Sequence, residues 1–238
     1  MAKQSKARRQ ATTSYDRDSA YPPETAVGLV KSMSSVKFDE GVDAVFQLGI
    51  DPKKADENVR GTVSLPHGTG KAVRVAVFAQ GDKAAEAEAA GADIVGGQEM
   101  ADEISKGGSL DFDVAIATPD MMPVVGKLGQ ILGPRGLMPN PKSGTVTQDI
   151  EATVAAFKAG RVEYRNDRYG NVHVPIGRVS FTEEQLRDNL ATVSDEVLRA
   201  RPASTKGRYV KKVVISSTMG PGVRLDSGEL EDLAKSVR

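Results

Sequence analysis

Cysteine is absent from this 238-residue chain, and so is tryptophan. Without a thiol there is neither a disulfide framework nor thiolate chemistry, which fits a reducing, cytoplasmic setting. Only two histidines occur, His67 and His173, far apart in sequence. A histidine-rich metal centre is therefore not expected, and the sequence calls for no metal and no cofactor. No apolar run approaches the roughly 20 residues that a bilayer-spanning helix needs, so no membrane partner is expected. The opening stretch MAKQSKARRQATTSYDRDSAY is basic but lacks the apolar core of a secretory leader. An excess of one charge is missing too, since 32 basic residues face 32 acidic ones.

What is present describes an ordinary globular protein, with 39% hydrophobic and 27% charged residues. The zero net charge hides a pattern. Residues 1–68 hold ten basic against nine acidic side chains, residues 69–160 eight against twelve, and residues 161–238 fourteen against eleven. The two ends are cationic and the middle anionic, as expected if the ends form one unit and the middle another.

Hydrophobic periodicity divides the chain in the same way. KAVRVAVFA, ADIVGG and FDVAIATP read as buried strands. They alternate with the helical stretches DKAAEAEAAG, QEMADEISKGG, MMPVVGKLGQIL and DIEATVAAFKAG. That alternation predicts a parallel sheet in Rossmann-like layers. In the flanks, Ala26, Val27, Val30 and Met33 share a helical face, while Val42, Ala44, Phe46, Leu48 and Ile50 alternate as in a half-buried strand. NVRGTVSLP continues as a further strand, and RVEY and NVHVPIGRVSF flank RNDRYG as a hairpin. Thr182 and Gln185 have capping-box spacing ahead of the stripe Leu186, Leu190, Val193 and Val197, and VKKVVISS is a last strand. The expected fold combines α/β and α+β. A split α+β domain is made of both termini (1–69 and 159–238), with a Rossmann-like three-layer α/β domain (70–158) inserted. HGTGK near 67–71 and KAGR near 158–161 would form a paired, glycine-bearing hinge.

One stretch comes close to a catalytic motif. In GLMPNPKS, Gly136, Lys142 and Ser143 fit a phosphate-binding loop, but Pro141 stands in place of its second glycine. Proline offers neither the N–H nor the positive φ of that position. The preceding segment also reads as a helix rather than a strand. Within LGPRGLMPNPKSGT, Arg135 and Lys142 on a stiff loop are instead candidates for a phosphate backbone. No G-x-G-x-x-G follows the KAVRVAVFA strand, and no nucleophile elbow or acid–base pair is evident. An α/β enzyme or nucleotide-binding protein using the middle domain remains the alternative reading.

The candidate binding residues lie in the flanks. Ser216, Ser217 and Thr218 offer hydroxyls, Met219 a soft apolar surface, and Gly220 and Gly222 room for close approach. Lys37 and Phe38 fall at the expected start of a strand, where Phe38 could equally be core. Arg165 and Arg168 beside Tyr169 give the RNDRYG turn a basic, aromatic tip, with His173 on the strand near it. Exposed turn arginines are usually just solvated, which is the simpler reading of these residues by themselves.

LGPRGLMPNPKSGTV resembles the signature of the L-one family of large-subunit ribosomal proteins, the protein of the mobile stalk. The likeness extends through KFDEGVDAVFQLGIDPKKADENVRGTVSLPHGTGK, GADIVGG, FDVAIATPD, KAGRVEYRND and SSTMGPGVRL. The resemblance implies two domains, one made of both termini and joined by a double connection, and a ribosomal rather than a catalytic role. It implies binding to large-subunit ribosomal RNA among other ribosomal components, beside outgoing transfer RNA at the exit site. It also implies repression of the protein's own messenger RNA. Thr218, Met219 and Gly220 match the family's RNA-contacting motif, and Phe38 matches an aromatic at its RNA surface. The split domain should carry most of the RNA contact.

Overall fold

The structure is a computed structural model that describes residues 6–108 and 110–236, with side chains from residue 9 onward. The elements in chain order begin with α1 (Lys6–Thr13), α2 (Pro23–Ser32), β1 (Gly41–Leu48) and β2 (Arg60–Ser64). Next come β3 (Val75–Phe78), α3 (Asp82–Ala89), β4 (Ile94–Gly96), α4 (Gln98–Ser105) and β5 (Val114–Ala117). They are followed by α5 (Met122–Lys127), α6 (Gly129–Leu132), α7 (Ile150–Ala159), β6 (Arg161–Arg165) and β7 (Asn171–Arg178). The last are α8 (Glu183–Arg199), β8 (Val210–Ser217), β9 (Val223–Leu225) and α9 (Ser227–Lys235).

The chain forms two compact units, Met1–Gly70 with Val162–Arg238, and Lys71–Arg161. The first is α+β. Its main sheet runs β7-β1-β8-β9, and β2 and β6 form a separate pair. The alternation read in β1 places Val42, Ala44, Phe46 and Leu48 on the buried face. There they join Val172, Val174 and Ile176 from β7 and Val213 and Ile215 from β8 in one core. The stripe of α8 closes that core, with Leu186, Leu190, Val193 and Val197 all fully buried. The capping box is formed, with Gln185 N donating to Thr182 Oγ1 at 3.2 Å and Thr182 N to Gln185 Oε1 at 3.0 Å. Asn189, buried on the same helix, accepts from His67 N and donates to Gly68 O and Ile176 O. With Arg178 Nε donating to Gly70 O, these bonds fasten the 67–70 segment to the first unit.

The second unit is α/β. Its parallel strands run β4-β3-β5, and successive β3 residues face opposite layers. Ala76 and Phe78 pack toward α4, α5 and α6, and Val75 and Val77 toward α3 and α7.

Local expectations fail at three places. The segment MMPVVGKLGQIL is broken, because α5 ends at Lys127 and the short α6 starts at Gly129. RNDRYG does not join a laddered hairpin. β6 pairs with β2 and β7 with β1, leaving one isolated bridge, Asn166 to Val172. Lys37 and Phe38 precede β1 in a bend, since Asp39 and Glu40 bond the 178–180 segment before the ladder begins at Gly41.

Candidate nucleic-acid interface

The register separates the candidate residues of the first unit into two groups. Gly41 of β1 lies opposite Arg178, and Val42 opposite Ser217, at one end of the sheet. Gln47 opposite Asn171, and Leu48 opposite Val210, mark the other end. Seven strand steps apart, the two ends are separated by about 23 Å.

At the first end, Lys37 and Phe38 lie just before Glu40 and Gly41, which bond the loop Thr218–Gly220. The organiser there is Glu40, 1% exposed and absent from the sequence-based candidates. Its Oε1 accepts from Met219 N at 2.7 Å, and its Oε2 accepts from Ser217 Oγ and Ser34 Oγ. Thr218 closes the junction from the other side. Its Oγ1 accepts from Gly41 N at 3.1 Å, and its own N donates to Gly41 O. With the backbone so held, the side chains of Phe38 and Met219 stand in solvent, 56% and 65% exposed. That exposure excludes the core position considered for Phe38.

Two readings of this loop need correction. Ser217 is buried, its hydroxyl bonded to Glu40 and accepting from Gly220 N at 3.1 Å, so it shapes the loop instead of reaching outward. Gly220 is required by its own neighbours as well, because a Cβ there would lie 2.4 Å from Ser217 Oγ. The absent side chain first makes room for that hydroxyl.

At the other end, Arg165, Arg168 and Tyr169 are exposed, Tyr169 at 83%. Asp167 builds their turn by accepting from Tyr169 N, Asn171 N and Asn171 Nδ2. Partial burial works against the ionised Asp167, but these bonds and nearby His173 outweigh it and hold its pKa below the usual carboxylate value. His173 lies beside this turn as expected, its Nε2 3.7 Å from Asp167 Oδ2. It pairs with Val45 in mid-strand, on the face of the sheet away from the helices. Asp43 shares that open face, and burial, opposed by His173, raises its pKa. Phe38, Tyr169 and Met219 are the exposed large hydrophobic side chains among the described residues.

Arg135 and Lys142 belong to the second unit and are exposed on the loop between α6 and α7. The amides of Lys142, Ser143, Gly144 and Thr145 all donate within the loop, to Asn140 or Pro141. No run of free N–H groups is left there to cradle a phosphate. Among the described residues, no cluster of three or more His, Cys, Asp or Glu side chains could hold a metal ion. No helix there is long and apolar enough to cross a membrane.

A split α+β unit interrupted by a three-layer α/β unit, with ordered loops at both ends of an antiparallel sheet, defines the class. Residues 30–221 match the model of the Ribosomal protein L1p/L10e family. The chain belongs to that family. It is 56% identical over 232 residues to the large ribosomal subunit protein uL1 of Streptomyces virginiae, covering 97% of this chain and 96% of that protein. To the uL1 of Nocardioides sp. it is 55% identical over 230 residues, 97% and 95% of the two chains. The uL1 of Streptomyces coelicolor is 54% identical over 233 residues, 98% and 96%.

Proposed function

We propose that this chain is a structural protein of the large ribosomal subunit that grips ribosomal RNA through its split unit. Its place would be the cytoplasmic ribosome, among other ribosomal components. The observation that carries the reading is the Glu40 junction, which spends a buried carboxyl group on fixing the backbone beneath two solvent-exposed side chains, Phe38 and Met219. A flat aromatic and a polarisable thioether on a rigid edge suit stacking and packing against nucleotides. Lys37 and the Thr218 hydroxyl add polar contacts to phosphate or ribose. Arg165, Arg168 and Tyr169 form a second contact at the far end of the sheet, with His173 beside it on the open face, against Asp167. Arg135 and Lys142 contribute less, since the unit that carries them is the acidic one.

As a stalk component near the exit site, the protein would assist the release of deacylated transfer RNA. The same RNA-gripping edge would serve to repress its own messenger RNA. An enzyme built on the second unit is the weaker reading, because family membership and the internally satisfied 140–145 loop both favour the structural role.

Filter binding of the purified protein to large-subunit ribosomal RNA from Streptomyces virginiae tests the reading. Phe38→Ala and Met219→Ala should each weaken binding by about 1–3 kcal/mol, the scale of one lost stacking contact. The double change Arg135→Gln with Lys142→Gln should cost less. Parent-like binding by folded Phe38→Ala and Met219→Ala variants would overturn the proposal.

A further inference from the structure

The N-terminal segment crosses the first unit and encloses a cleft of about 280 Å³ against the open face of the sheet. Tyr21 N donates to Arg224 O, and Asp226 N to Tyr21 O, so the segment is fastened to β9 as an extra edge. Tyr15 OH donates to Gly222 O at 3.1 Å and holds the preceding turn over the loop before β9. The cleft is lined by Arg17 from this segment, Lys212 and Val214 from β8, and Arg224 from β9. Val213, Ile215, Val223 and Leu225 point into the core. Strand alternation therefore puts Lys212, Val214 and Arg224 on the opposite face, where Val214 pairs directly with Arg224. Gly222 keeps the floor open, since a Cβ there would lie 2.9 Å from Val214 Cγ1.

In a chain of zero net charge, three cations meet in this one recess. None of the ion pairs among the described residues involves Arg17, Lys212 or Arg224. Elsewhere in the first unit, Arg60, Arg178, Arg187 and Arg199 all lie against carboxylates. Unpaired cations lining one small recess repel one another, and a phosphate entering it relieves that repulsion.

We propose that Arg17, Lys212 and Arg224 form a phosphate-binding cleft that takes the backbone of the RNA strand gripped at Thr218–Gly220. The inference rests on the RNA-binding reading above and extends it. Pro221 and Gly222 join that loop directly to the cleft, so a strand leaving Met219 meets the cleft next. The cleft then supplies sequence-independent, salt-sensitive affinity, while the loop supplies shape.

The test is the salt dependence of binding to the same ribosomal RNA. The parent is compared with the triple variant Arg17→Gln, Lys212→Gln, Arg224→Gln and with Thr218→Ala. Thermal melts should show the triple variant folded, since all three side chains sit at the surface. Each phosphate contact contributes about 0.7–0.9 to the slope of log affinity against log salt. With three cations removed, the triple variant should therefore lose about two to three from that slope and bind at least about tenfold more weakly at low salt. Thr218→Ala should weaken binding with the parent's slope intact. An NMR titration with inorganic phosphate, followed at the Gly222 amide, separates a free-anion site from an RNA subsite. Shifts with phosphate but an unchanged RNA slope would overturn the proposal, as would a triple variant that matches the parent in both affinity and slope. A parent that does not bind the RNA at all would sink the functional reading together with this one.

Discussion

Removing the Glu40 carboxyl group should unfasten the 217–220 loop while sparing the core of the first unit. In Glu40→Ala, Met219 N loses its acceptor, and the hydroxyls of Ser34 and Ser217 lose theirs. Ser34 is only partly buried, so water replaces part of what its hydroxyl loses, whereas the Ser217 hydroxyl is buried and Met219 N half-buried. At about 1 kcal/mol for each such bond, less what water restores, the cost is about 2 kcal/mol. That corresponds to a fall of roughly 4–8 °C in the melting temperature of a domain this size. Glu40→Gln should behave differently. Its amide oxygen still accepts from Met219 N, and its NH2 group donates to hydroxyls that rotate to accept. Its loss should stay below about 1 kcal/mol. Amide exchange at Met219 and Gly220, thermal melts and RNA filter binding read the three consequences together. An alanine variant with parent-like exchange and binding would refute the claim that Glu40 sets this edge.

Gly220→Ala should destabilise the first unit, since the new Cβ would lie 2.4 Å from Ser217 Oγ. Combining it with Ser217→Ala should recover part of the loss in a thermal melt, and simple additivity would argue against that clash. At alkaline pH, burial, with Glu196 adding to it, raises the Tyr164 pKa from 10.0 to about 12. A phenol raised in the folded state stabilises fully below pH 10 and loses that contribution as pH climbs toward 12. Tyr164→Phe should therefore flatten the decline of stability between pH 10 and 12, and a titration with unchanged slope would contradict this.

The parts of the fold legible in the sequence were those set by apolar spacing. The period of two in β1 and the stripe on α8 both encode one buried face, and both faces are buried as expected. The capping box was legible because two side chains at fixed spacing specify it. The RNDRYG turn misled because turn chemistry is local and strand partners are not. Asp167 makes the turn whichever sheets its flanking strands join. The short, charge-rich C-terminal segment offers few apolar positions from which to read a buried face, yet α9 buries Leu230 and Ala234. Within the site, exposure at Met219 follows from a glycine-rich polar strand end. The role of Glu40 does not, because an acidic residue before a strand ordinarily stays in solvent. Its partners, Ser34, Ser217 and Met219, come from both ends of the chain and meet only when the split unit closes.

Crosslinking in purified large subunits tests the central claim most directly. Irradiated subunits containing this protein should yield RNA crosslinks on the peptides that hold Phe38 and Thr218–Gly220, with a second set near Tyr169. Crosslinks confined to residues 71–161, with none from the Phe38 or Met219 peptides, would contradict the account.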